Sequence, residues 1–99
     1  MKFQVDRTKW LRGKGPSQLL SPNGQMCCVG FFCLAEGYKP EDIANAKVYG
    51  ELRDKSHTED KFAIHNIYII NDAPHLEKTR EALLTKEFKY LGHEVEFIN

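Results

Sequence analysis

The chain has 99 residues and a mass of 11.4 kDa, which is room for one domain of the usual ~100–150 residues and not for two lobes with a cofactor cleft between them. Hydrophobic residues make up 41% and charged residues 28%, ordinary globular usage that excludes wholesale disorder and a fibrous protein. The net charge is zero, which argues against a protein coated in nucleic acid, and no run approaches the ~18–20 apolar residues of a membrane span.

Residues 2–6, KFQVD, alternate polar and apolar, with Phe3 and Val5 on one side and Lys2 and Gln4 on the other. This predicts a short half-buried strand. Residues 7–24 carry Gly13, Gly15, Pro16, Pro22 and Gly24 and read as loop, with Leu11, Leu19 and Leu20 as anchors. Residues 26–36 are apolar almost all round, from Met26 through Cys27, Cys28, Val29, Phe31, Phe32, Cys33 and Leu34. Such a stretch is a helix buried on most sides, or a strand, and its length and the Gly37 stop favour the helix. Gly30 inside it costs helix propensity, so its use is to let another backbone approach. Pro40, with Glu41 and Asp42 behind it, opens a short second helix. Residues 50–61 are almost entirely polar and read as a mobile surface loop.

FAIHNIYIIN, residues 62–71, is rich in β-branched and aromatic residues on both alternating faces and reads as a central strand. Asn71 and Asp72 then offer an N-cap and Pro74 a first-turn residue for a helix that runs to about Leu91. Leu76, Leu83, Leu84, Phe88 and Leu91 form its apolar stripe, which Arg80 interrupts by snorkelling. Gly92 ends the helix, and HEVEF alternates as a half-exposed final strand. The expected architecture is a single α+β domain over 1–99. It has a small three-stranded mixed sheet, a C-terminal β-α-β unit over 62–98 with parallel strands, and a buried central helix.

Residues 1–18 hold five basic residues, Lys2, Arg7, Lys9, Arg12 and Lys14, against Asp6 alone, a local balance of +4; the remainder, with nine basic and thirteen acidic residues, balances at −4. A basic arm containing Trp10 could touch phosphates or an acidic partner, whereas the plainer reading packs Trp10 into the core. The three cysteines, Cys27, Cys28 and Cys33, lie within seven residues and are odd in number. They do not form a disulfide framework and read as small apolar thiols in a reducing compartment. MKFQVDRTKW also lacks the apolar stretch of a signal peptide. The expected location is therefore cytoplasmic.

Trp10 and Gly13, the pair Leu19–Leu20, Gly24 before Cys27–Cys28, Gly30–Phe31, Asn71–Asp72, Arg80–Glu81, Gly92, Val95 and Phe97 follow one another in an order that resembles a group of small phage and bacterial proteins of unassigned function. The resemblance spans about residues 9–98. It implies a phage or prophage origin and brings no activity with it.

Cys28-Val29-Gly30-Phe31-Phe32 at a helix start also resembles the catalytic cysteine segment of the NlpC/P60 peptidases. A helix N-terminus favours the nucleophilic thiolate, and in this chain His65 would be the base and His75 its orienting group. The usual Asp-Cys-Ser-Gly is here Cys27-Cys28-Val29-Gly30, and sheltered core cysteines are the more economical reading. A zinc site from the cysteines with His57, His65, His75 and His93 lacks the paired short spacings that structural zinc uses. Gly13-Lys14-Gly15-Pro16 lacks the spacing of a phosphate loop. No catalytic set, metal or cofactor is therefore expected.

Asn71–Asp72, at the carboxyl end of the expected central strand, joins Trp10, Arg12 and Lys14 as candidate binding residues. The leading expectation is a small phage-type accessory protein that binds a host macromolecule, a protein rather than a nucleic acid, with no membrane contact. One outcome of such binding would be inhibition of a host or defence enzyme. The other readings are a cysteine hydrolase using Cys28 and His65, and a nucleic-acid binder using the basic arm. A face bearing Tyr68 or His65, if left open, would serve as a docking surface or a homodimer contact.

Overall fold

The computed structural model describes residues 1–13, 18–44 and 61–99. In chain order its elements are β1 (Lys2–Asp6), α1 (Cys28–Ala35), α2 (Pro40–Ala44), α3 (Lys61–Asp72), α4 (Glu77–Tyr90) and β2 (Glu94–Ile98). The two ends of the chain meet. β1 and β2 pair in parallel from Lys2 opposite Glu94 to Asp6 opposite Ile98, and among the described residues they form a two-stranded sheet. Parallel strands need a long crossover, and here the whole helical part of the chain supplies it.

The period-2 pattern of KFQVD sends Phe3 and Val5 inward and leaves Lys2 and Gln4 exposed. Phe3 is the keystone of the inner face. Its ring lies 5.4 Å from Phe32 of α1 and 4.9 Å from Phe88 of α4, and those two rings are 5.4 Å apart. Helices α1 and α4 therefore cover the same face of the sheet. The other face is polar, with a Gln4–Glu96 hydrogen bond of 3.0 Å across the strands. Helix α3 packs on both α1 and α4, and Ile67, Leu84, Val29 and Ile43 are fully buried in the core.

Helix α1 buries Cys28, Val29, Gly30, Phe32 and Cys33, as its apolar circumference requires. Among the described glycines, Gly30 lies closest to another segment's backbone. A Cβ there would collide with the carbonyl oxygen of Leu19 and crowd the Met26 side chain. The preceding segment is strapped down by Cys27 N–H donating to the Gln18 carbonyl at 3.0 Å. It also bridges to the first loop, where Leu11 N–H donates to Met26 O at 2.8 Å and Met26 N–H to Lys9 O at 2.9 Å. Gly37 and Gly92, after α1 and α4, adopt the left-handed conformation that ends helices.

Three expectations need correction. Residues 62–70 are not a strand: they lie in α3, so among the described residues the sheet has no third strand, and 62–98 is not a β-α-β unit. Burial explains why. Ala63, Ile64, Ile67 and Asn71 are buried while His65, Asn66 and Ile69 are exposed, a helical period that no alternation reproduces. Asn71 and Asp72 do not cap the following helix; they close α3, and α4 starts after Leu76. Arg80 does not snorkel. It is 4% exposed, in line with Leu84 and Phe88 on the inner stripe of α4. The loop expected at 50–61 lies outside the described residues except for Lys61, which opens α3.

Gly30→Ala tests the close approach. The added methyl meets a backbone carbonyl that cannot rotate away, so overpacking should cost about 1–3 kcal/mol, read as a lowered Tm in thermal unfolding. An unchanged Tm would mean that α1 does not need the Leu19 contact.

Candidate functional site

The residues singled out for function converge where the 10–13 loop, the start of α1, the end of α3 and the start of α4 meet. Asn71, fully buried at the last turn of α3, holds the junction. Its Oδ1 accepts from Trp10 Nε1 at 2.7 Å and from the Cys28 backbone N–H at 3.1 Å. Its Nδ2 donates to the Leu11 carbonyl at 2.9 Å and to Asp72 Oδ1 at 2.8 Å. Its backbone carbonyl accepts from Gly13 N–H at 2.9 Å. The contact to Cys28 has a specific cause. Cys27 occupies the N-cap position of α1 and makes no side-chain cap, so a helical N–H would be orphaned. An amide 43 residues away in sequence does the work of a cap.

The basic arm folds against the acidic face of α4. Arg7 forms a two-pronged pair with Glu81, Nε and Nη2 donating at 2.9 and 2.8 Å. Arg12 grips Glu77 through Nε at 2.8 Å and Nη2 at 2.6 Å, donates through Nη1 to the Trp10 carbonyl at 2.9 Å, and lies 4.4 Å over the Trp10 ring. Glu77 is shared with Arg80 at 3.0 Å. The hydrogen bonds from Arg12 hold its carboxyl below the ordinary range, and the bonds to Glu81 raise Arg7. Arg80 also donates to the Ala73 carbonyl at 2.6 Å, while its buried Nε finds no partner among the described residues.

Trp10 is 3% exposed, and its ring stacks 5.0 Å from Phe97. It is a core residue with a polar handle, as buried tryptophans usually are. Arg12 is engaged as described, and Lys14 lies outside the described residues. Asp72 is half-buried beside Asn71. Cys27, Cys28 and Cys33 are free thiols with no exposure. Desolvation pushes the Cys28 thiol well up, reinforced by Cys27 and Asp72, and the backbone at the helix start offsets only part of this. Cys33 is raised by burial as well. His65 is exposed on α3, and His75 is half-buried between α3 and α4. The fold thus brings Trp10, Arg12, Asn71 and Asp72 together and leaves Cys28 sealed from solvent while His65 faces it. Among the described residues no cluster of His, Cys, Asp and Glu could hold a metal ion, and no helix is long and apolar enough to cross a membrane.

Sequence reasoning missed Glu77, Glu81 and Arg80 as partners of this junction, although the acidic surplus outside the basic arm was the available signal. No family model matches the chain, nor does any curated protein or solved structure.

Two measurements check the junction. Asn71→Leu leaves the Trp10 and Cys28 N–H groups buried without an acceptor, at about 1–3 kcal/mol each. The expected loss is therefore about 2–6 kcal/mol in denaturant unfolding followed by the fluorescence of the lone tryptophan. Near-wild-type stability would show that the cap is dispensable. Separately, a thiol titration of the folded protein should find all three cysteines slow to react, with full release on unfolding. Rapid labelling of Cys28 below pH ~8.5 would instead mark an activated nucleophile.

Proposed function

We propose that the chain is a small phage-type accessory protein that acts in the host cytoplasm by binding a host macromolecule, and that this macromolecule is a protein. The observation that carries the reading is Leu76. It stands 80% exposed at the N-cap of α4, where it makes no side-chain cap. Ser, Thr, Asp or Asn there would stabilise the helix by about 1 kcal/mol. A leucine in that place burdens both the helix and the surface, and contact with a partner gives it a use. Ile69, 53% exposed on α3, adds apolar area on the helix that leads into the α3–α4 connection, and His65 and Asn66 share its outward side. An exposed aliphatic group beside polar neighbours suits a protein surface better than a phosphate backbone.

The arginines of the basic arm also support this reading over nucleic-acid binding. Arg7 and Arg12 are already committed to Glu81 and Glu77, so a phosphate would have to displace a two-pronged carboxylate pair. The buried Cys28 thiol favours binding over hydrolysis for the same kind of reason: substrate would reach it only after the α1 packing opened. The free cysteines suit a reducing compartment.

The test is capture from bacterial host lysate with tagged protein. A host protein should be retained by the wild type and lost with Leu76→Asp and Ile69→Asp, both of which should keep wild-type helicity. Capture indifferent to both substitutions, or capture of nucleic acid alone, would overturn the reading.

A further inference from the structure

Among the described residues β1 has an unpaired edge, which the proposed function does not use. Glu94 N–H donates to the Met1 carbonyl at 2.8 Å and Arg7 N–H to the Ile98 carbonyl at 2.9 Å. With the register of the two strands, these bonds fix which peptide groups face which way. Met1, Phe3, Val5 and Arg7 turn theirs toward β2. Lys2, Gln4 and Asp6 turn theirs away from it. Of these outward groups the Asp6 carbonyl accepts from Lys9 N–H at 3.0 Å; those of Lys2 and Gln4 have no partner among the described residues. Beside this edge lies an open groove of about 540 Å³, lined by Lys2, Phe3 and Gln4 on one side and by Phe31, Leu34 and Ala35 of α1 on the other. An unpaired edge above an apolar groove is a template for an added strand.

The sequence of β1 says which strand fits. Written antiparallel to itself and centred on Gln4, KFQVD sets Lys2 opposite Asp6, Gln4 opposite Gln4, and Phe3 opposite Val5. The paired positions Lys2, Gln4 and Asp6 are the ones whose peptide groups point outward, so backbone direction and side-chain charge agree on one register. Sliding by two residues in either direction loses both opposite-charge pairs. Lys2 Nζ makes only a loose, exposed contact with Glu96 Oε2 at 3.9 Å, and the acceptor is available: Asp6 Oδ1 is taken by Thr8 and Asn99, while Oδ2 has no partner among the described residues.

We propose that the chain forms a two-fold symmetric dimer in which β1 of one copy pairs antiparallel with β1 of a second copy about Gln4. The two sheets become one continuous sheet with β2 at either end. The grooves merge beneath it, so that Phe31 and Leu34, half-buried in one copy, are covered by their counterparts. Each Lys2 ammonium meets an Asp6 carboxylate across the junction. The interface is isologous, as two-fold contacts must be.

The full chain tests this in solution by sedimentation equilibrium and by cross-linking. The wild type should be a dimer. Gln4→Cys should yield a disulfide-linked dimer on mild oxidation, because position 4 meets itself, and Lys2→Cys should not; the native thiols are buried and stay out of the reaction. Lys2→Asp alone and Asp6→Lys alone place like charges opposite one another and should each weaken dimerisation by about tenfold. An equimolar mixture of the two should recover association, since the mixed pair has opposite charges at both ends. Three results would overturn the proposal: a monomer at every concentration, a monomer that instead captures an extended peptide, or a dimer that neither cross-links through position 4 nor responds to the charge reversals.

Discussion

One buried amide oxygen organises this fold. Asn71 Oδ1 accepts from the Trp10 indole and from the first helical N–H of α1, and Nδ2 uses both of its hydrogens on Leu11 and Asp72. An asparagine side chain offers two acceptor sites and two donors, and this one employs all of them. The consequence is geometric. The 10–13 loop has little regular structure of its own, α1 lacks a local cap, and α3 ends in the core; each is positioned by the same side chain. In a low-dielectric interior such a network is strong while complete and costly when broken.

Charge acts around that centre as a set of guides. Glu77 and Glu81 stand one turn apart on α4 and receive Arg12 and Arg7 from the first loop. Exposed ion pairs contribute little to stability, and Glu77 is 43% exposed. The two-pronged geometry nevertheless fixes direction: it lays the loop along α4 with Trp10 turned inward and the Arg12 guanidinium over its ring. The +4 of the N-terminal segment and the −4 of the remainder meet in part at this seam, which is why a protein of zero net charge carries such an uneven distribution along its chain.

Most element ends were legible because local chemistry sets them: the alternation of KFQVD, the Gly37 and Gly92 stops, Pro40 at the start of α2, and the final HEVEF strand. Gly30 was readable as a close approach, since a glycine in an apolar helix has few other uses. The failure was α3. FAIHNIYII is apolar or aromatic at all positions but His65 and Asn66, with isoleucine at four of them, so its intrinsic preference is for a strand and its period is hidden. The deciding residue is Asn71, which reads locally as a cap. Only its burial beside Ile67 and Ile64 reveals the helical face, and that burial depends on Trp10 and Cys28, which are distant in sequence. Trp10, Arg12, Asn71 and Asp72 meet in space, but the force that gathers them was invisible without the acceptor.

The sheet itself has an asymmetry that follows from its charges. Among the described residues each strand has an unpaired edge, and the outward peptide groups of β2 are those of Val95 and Phe97. Self-pairing there would be antiparallel about Glu96, which sets Glu96 against Glu96, about Val95, which sets Glu94 against Glu96, or about Phe97, which sets Glu96 against Ile98. Like charges directly opposite are unfavourable, and charged residues on an edge are a common guard against unwanted pairing. Edge β1 carries the reverse arrangement, a cation at one end and an anion at the other with a neutral amide between. Two strands of equal length, paired to each other in one register, therefore differ in what they favour: like charges count against two of the three self-pairings of β2, whereas β1 has a self-pairing that sets each of its charges opposite its complement.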